Sequence, residues 1–169
     1  MNSYSHLFRA VAVIAVATSA VTATLTGIAF AMPTDKGQCN ASDITVKVLD
    51  RGVGAGTHSY TLTLVAKAGK SCQVGGSPQQ NQFLSADGRI APVTTSSANP
   101  GSWPQVTIDG GHSARIEIQT ADKPGVPVSS LRFNVPSGGE NTITVVPWTP
   151  RSIASGAHFS TAQSVRAAN

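Results

Sequence analysis

The stretch SARIEIQT, residues 113–120, decides the fold class. Ala114, Ile116 and Ile118 alternate with Arg115, Glu117 and Gln119. A period of two puts the apolar set on one face of an extended chain and the charged set on the other. The same alternation returns on both sides of this segment. Ile44, Val46 and Val48 alternate with Thr45 and Lys47, and Tyr60, Leu62 and Leu64 with Thr61 and Thr63. Leu131, Phe133 and Val135 alternate with Arg132 and Asn134, and Ile143 and Val145 with Thr142 and Thr144. Shorter candidates are residues 82–85, 89–93, 105–108 and 158–162.

The joints agree with strands. Asp87-Gly88 stands between QFLS and RIAPV, Asp109-Gly110-Gly111 precedes SARIEIQT, and Ser137-Gly138-Gly139 precedes NTITVV. Short Asp-Gly and Gly-Gly segments between alternating runs are hairpin signals. GVGAG, residues 52–56, is predicted as a mobile turn between the first two strands. About eight or nine strands with one face wet and one face dry predict an all-β fold, an antiparallel β-sandwich of immunoglobulin-like architecture. It is expected to be one domain spanning residues 38–165.

The first 31 residues stand outside that domain. A polar start carrying Arg9 leads into an apolar run from Ala10 to Ala17, then a Thr/Ser/Ala-rich stretch closing on Ala29-Phe30-Ala31. This order predicts a secretory signal peptide cleaved near Ala31–Met32. Ala10 to Phe30 is long enough to cross a bilayer, so a retained anchor is the rival reading. Thr18, Ser19, Thr22, Thr24 and Thr26 weaken it. The expectation is a secreted, extracellular protein with no stable membrane insertion after cleavage.

The chain carries 12 Lys+Arg and 8 Asp+Glu, a net charge of +4, and loses one positive charge with Arg9. Lys47, Arg51, Lys67, Lys70, Arg89, Arg115 and Arg132 occur singly. No basic stripe forms, and nucleic acid is therefore not an expected partner.

An exported chain folds in an oxidising space, where an even cysteine count implies bridges. Two cysteines permit one pairing, Cys39 with Cys72. Closing a loop of about 34 residues stabilises by roughly 3–4 kcal/mol in the chain-entropy model. A redox role lacks its Cys-x-x-Cys spacing.

Other chemistry stops at near-misses. Gly69-Lys70-Ser71 ends like a phosphate loop, but the required earlier glycine is Leu64. GVGAGT, residues 52–57, misses a dinucleotide fingerprint at Thr57 and has no helix behind it. His58, His112 and His158 lie far apart in sequence, without metal-ligand spacing. No Gly-x-Ser-x-Gly elbow occurs. The acidic residues fall mainly at turns and strand ends, where turn chemistry accounts for them. No catalytic, cofactor or metal residue is therefore assigned. Trp103 and Trp148, each beside a proline, are the candidate ligand contacts, against the plainer reading that each ring closes an end of the sandwich.

Taken in order, Cys39-x-x-Ser42-Asp43-Ile44, Tyr60 to Leu64, Cys72-Gln73-Val74-Gly75-Gly76-Ser77-Pro78, the turn from Asp109 to Ala114, and Leu131-Arg132-Phe133 resemble a family of exported actinobacterial proteins known as a domain of unknown function. Its specific part is a C-x-(L/V)-x-G-x-P element, and the likeness runs from about Gln38 to Val165. The resemblance implies that Cys72 to Pro78 is a structural corner. Some relatives carry a further cysteine before the Leu131 strand; none is present here, and a second bridge is not expected. The resemblance brings no activity and no catalytic residues. The expected function is a non-catalytic extracellular or cell-envelope binding module, with a cell-wall glycan or an envelope protein as candidate partner. The alternative is an envelope hydrolase or ligand carrier whose site forms only in three dimensions.

Overall fold

The computed structural model describes residues 37–98, 104–136 and 142–166. The segment expected to be a signal peptide, Trp103 and the expected turn at Ser137-Gly138-Gly139 lie outside the described residues. After a short 3-10 turn at Ala41–Asp43, thirteen strands follow among the described residues. They are β1 (Ile44–Gly54), β2 (Thr57–Ala66), β3 (Cys72–Gly75), β4 (Gln79–Leu84), β5 (Thr95–Ser97), β6 (Gln105–Ile108) and β7 (His112–Ala121). Then come β8 (Val126–Pro127), β9 (Ser130–Asn134), β10 (Ile143–Pro147), β11 (Ser152–Ile153), β12 (Ala157–Phe159) and β13 (Gln163–Arg166).

The fold is all-β, as the period of two requires. Its organisation differs from a simple two-sheet sandwich. A six-stranded sheet runs β1-β2-β7-β12-β5, with β13 also on β7; a three-stranded sheet runs β10-β9-β4; and β11-β8 and β3-β6 form two small ribbons. Pairing is also not wholly antiparallel, because β5 lies parallel to β12. These two strands belong to separate stretches of chain, and no hairpin dictates their direction.

The quoted segment is the spine of the larger sheet. Ala114, Ile116 and Ile118 on β7 are completely buried. One edge of β7 pairs with β2 from Leu64 to Thr57. The other edge is shared, His158 and Phe159 of β12 facing Gln119 and Ile118, and β13 facing residues 112–115. Ser160 bridges the break. Its N–H donates to the Glu117 carbonyl at 2.8 Å, and its Oγ accepts the Glu117 N–H at 2.8 Å. Arg115 and Glu117, on the opposite face, form an ion pair at 2.6 Å.

The core lies between the two larger sheets. Tyr60, Leu62, Leu64 and Ile116 from one share a single cluster with Phe83, Leu131, Phe133 and Val146 from the other. Trp148 sits within it, 2% exposed. Its ring lies 4.9 Å from Tyr60 and 4.9 Å from Phe83, centroid to centroid. Its indole N–H donates to the Ser152 carbonyl at 3.0 Å. A buried indole needs that partner.

Two sequence expectations change at the level of the element. On β10 the predicted inward pair, Ile143 and Val145, faces solvent, at 45% and 56% exposure. Thr142 and Val146 are buried instead. Register explains this: Val146 stands opposite Leu131 and Thr144 opposite Phe133, so they share the face that β9 commits to the core. The GVGAG segment is mostly strand rather than turn. Gly52 (φ +83°) forms a bulge in β1, its N–H held by the Asp50 carboxylate at 2.8 Å. The reversal is confined to Ala55 (φ +50°) and Gly56 (φ +75°), a two-residue turn with both central residues left-handed.

Cys39 and Cys72 are joined, with their Cα atoms 4.9 Å apart. The leading segment also pairs with β3: the Cys39 N–H donates to the Gln73 carbonyl and the Gln73 N–H to the Gly37 carbonyl, at 2.9 and 3.0 Å. The bridge therefore ties the approach to β1 to the chain that has just left β2. From Cys72 the corner runs through Gly76 (φ +87°) to Pro78, carrying the chain from the β3-β6 ribbon to the three-stranded sheet.

Candidate functional site

After Pro78 four amide side chains follow in succession, Gln79, Gln80, Asn81 and Gln82. A strand with one face in the core cannot keep four polar residues in its alternation, and β4 bulges. Gln79 pairs with Asn134 and Gln82 with Arg132, so β4 has one residue more than β9 across this interval. Gln80 takes a left-handed backbone, φ +52°. The bulge brings residues 79–82 opposite β5, the outer strand of the larger sheet.

Between β4 and β5 lies a groove of about 570 Å³, lined by residues 79–82 on one wall and 95–98 on the other. Hydroxyls and amides close its floor. Pro78 O accepts from Ser97 Oγ at 2.7 Å and from Asn81 Nδ2 at 3.1 Å. Asn81 Nδ2 also donates to Ser97 Oγ at 2.9 Å. Thr95 Oγ1 donates to the Asn81 carbonyl at 3.0 Å, and Ser77 Oγ to the Ala98 carbonyl at 2.9 Å. Ser96 Oγ is 3.0 Å from Nδ1 of His158. The carbonyl of Pro78 can only accept, which fixes the Asn81 amide with Nδ2 toward it. Asn81 Oδ1 is then buried with no hydrogen-bond partner. Leaving such an oxygen unpaired costs about 1–3 kcal/mol.

Every lining side chain is an amide, a hydroxyl or the methyl of Ala98. None of them titrates in water's ordinary pH range. The groove can offer many donors and acceptors to a neutral polar molecule; among the described residues its lining holds no acid, base or thiolate, although the His158 imidazole is hydrogen-bonded to the lining residue Ser96.

Of the residues singled out from the sequence, His158 reaches the groove through Ser96, whereas Trp148, His58 and His112 lie elsewhere. Trp148 is not a ligand contact, because its ring is enclosed by Tyr60 and Phe83 and its N–H is spent on Ser152. Trp103 lies outside the described residues. The histidines stay apart and serve local roles. His58 contacts Asp50 at 2.7 Å and stacks on Tyr60, and His112 contacts Asp109 at 3.1 Å. Among the described residues no group of three His, Cys, Asp or Glu could hold a metal ion.

The aspartates build turns. The Gly111 N–H, the His112 side chain and the His112 N–H hold the Asp109 carboxyl below its usual range. Asp87 is held low first by the Ser85 hydroxyl and then by the Arg89 N–H. Asp43 is held low chiefly by Lys70, 3.2 Å away. Burial pushes the Tyr60 phenol up, and the Asp50 charge adds to it.

The groove residues were not singled out from sequence. Their signal was present: the run of four amides at 79–82 and the hydroxyl run at Thr94-Thr95-Ser96-Ser97 both break the period of two.

A family model described as a domain of unknown function (DUF4232) matches residues 39–166. No curated protein and no solved structure matches the chain.

Proposed function

The chain belongs to the DUF4232 family of domains of unknown function, and from that premise we propose that it is a non-catalytic binding module of the extracellular or cell-envelope space. The observation that carries this reading is the β4/β5 groove, a concave surface with a lining rich in hydrogen-bonding groups and free of ionisable ones. The groove's volume falls in the range of about 300–1,000 Å³ common to ligand clefts, from most of which it differs in having a polar rather than an apolar lining. General acid–base or nucleophilic catalysis would require a titratable or activated group within reach of the bound molecule, and toward that the described lining offers only the hydrogen bond between Ser96 and His158. Export is supported by the leader pattern at residues 1–31 and by the disulfide, which suits an oxidising compartment. The six- and three-stranded sheets sharing one core support an immunoglobulin-like arrangement, and the Cys72-to-Pro78 element supports kinship with exported actinobacterial relatives.

The test is retention. The protein is added to an isolated envelope fraction, and bound protein and released soluble fragments are both measured. Retention that falls when Gln80→Gly and Gln82→Ala are combined, with no fragments released, supports the reading. Retention indifferent to these changes removes the groove from it, and release of fragments removes the word non-catalytic. A ligand carrier is the second reading, favoured by the groove's volume of about 570 Å³. A carrier would hold a small molecule through purification and show no retention on the envelope.

A further inference from the structure

From the chemistry of the groove we infer that its ligand is a neutral polyhydroxylated molecule, a sugar unit of an uncharged glycan, held by side chains rather than by backbone. This rests on the binding-module reading above and names the ligand class of that same site. Two groove observations point this way. First, part of the backbone that a peptide strand would need is already engaged. Strand addition works through a row of free main-chain groups on a sheet edge. Here the carbonyls of Pro78, Asn81 and Ala98 accept from Ser97, Thr95 and Ser77 side chains. The bulge at Gln80 also takes β4 out of regular register where an added strand would dock.

Second, the remaining groups match hydroxyls. A sugar hydroxyl is both donor and acceptor, and a carboxamide offers both in one plane, two bonds apart. Gln79, Gln80 and Gln82 present three such groups along one wall, across from the hydroxyls of Thr95 and Ser96. Among the described residues no lysine, arginine, aspartate or glutamate lines the groove. An acidic glycan or a phosphate would find no counter-charge, and a cation no carboxylate. Asn81 is the positioning residue, with its amide pinned by Pro78 and Ser97.

The experiment titrates the protein with neutral hexose and N-acetylhexosamine tetrasaccharides, an acidic tetrasaccharide and an extended neutral octapeptide, followed by backbone amide NMR. The expected result is saturable shifts at residues 79–82 and 95–98 with a neutral sugar, insensitive to added salt. Gln80→Gly removes one amide while relieving a left-handed backbone, so its fold should survive, and Gln82→Ala serves as a second variant. Each should weaken sugar binding about tenfold, the equivalent of one well-placed hydrogen bond. Shifts at the groove with the peptide or the acidic sugar and none with neutral sugars would overturn the ligand class while leaving a binding groove. Sugar binding unchanged in both variants would overturn the site itself. No groove shift with any probe, together with groove-independent retention on the envelope, would overturn both readings.

Discussion

Ala55 is the residue at which the β1–β2 hairpin carries an avoidable cost. Its φ of +50° belongs to a conformation that residues with a Cβ adopt reluctantly, and nothing else in a two-residue turn relieves it. Ala55→Gly should raise stability by up to about 1 kcal/mol, read as a higher denaturation midpoint with an unchanged slope. Gly125 is the opposite case. A Cβ there would meet the Ile153 backbone at 2.8 Å, so Gly125→Ala should prise β8 from β11 and lower the midpoint. Titration is also a single-residue matter. The Asp109 carboxyl lies below its ordinary 3.8 in the folded protein, so the unfolded chain binds its proton at higher pH. Its contribution is therefore present above the unfolded value and lost as pH falls through the folded one. Melting temperature followed from neutral pH into acid should fall less steeply in Asp109→Asn than in the parent. Equal slopes would mean the turn does not depend on that charge.

Strands make their own predictions. On β10, Val145→Thr should change stability by less than about 0.5 kcal/mol, because Val145 faces solvent. Val146→Ala, one residue along, should cost about 1–3 kcal/mol, because it empties space beside Leu131. Chemical denaturation of the two variants reads the register directly, and the reverse order would mean that β10 is turned over. The same strand shows where sequence reading stops. Residues 114–119, 60–64 and 131–135 could be read correctly because each apolar residue there alternates with a polar one. Thr142-Ile143-Thr144-Val145-Val146 carries β-branched residues on both faces, and only its pairing with β9 decides which face is buried. The groove was less legible still. Amides give no periodic signal, and their meeting with β5 depends on a bulge and on contacts between residues distant in sequence. For Trp148 the sequence left two readings, and the plainer, structural one agrees with a ring drawn into the aromatic cluster of Tyr60 and Phe83.

For the molecule as a whole, the single covalent tie and the closure of the central sheet set the behaviour. Replacing Cys39 and Cys72 together by Ala should lower unfolding free energy by roughly 3–4 kcal/mol, the amount expected for a loop of this length. A midpoint unchanged in urea would show that backbone pairing of residues 37–39 with β3 holds that corner unaided. The cost falls on the whole domain, since the bridge sits in the same cluster as Leu64, Val74 and Ile108. The seating of residues 157–166 along β7 has a consequence in time. The strand at the middle of the large sheet waits for a partner that is synthesised more than thirty residues after it. Until residues 157–166 emerge from the ribosome, one margin of β7 lacks its partners. The larger sheet is therefore completed late in synthesis, by residues 157–166 rather than by any of the earlier hairpins.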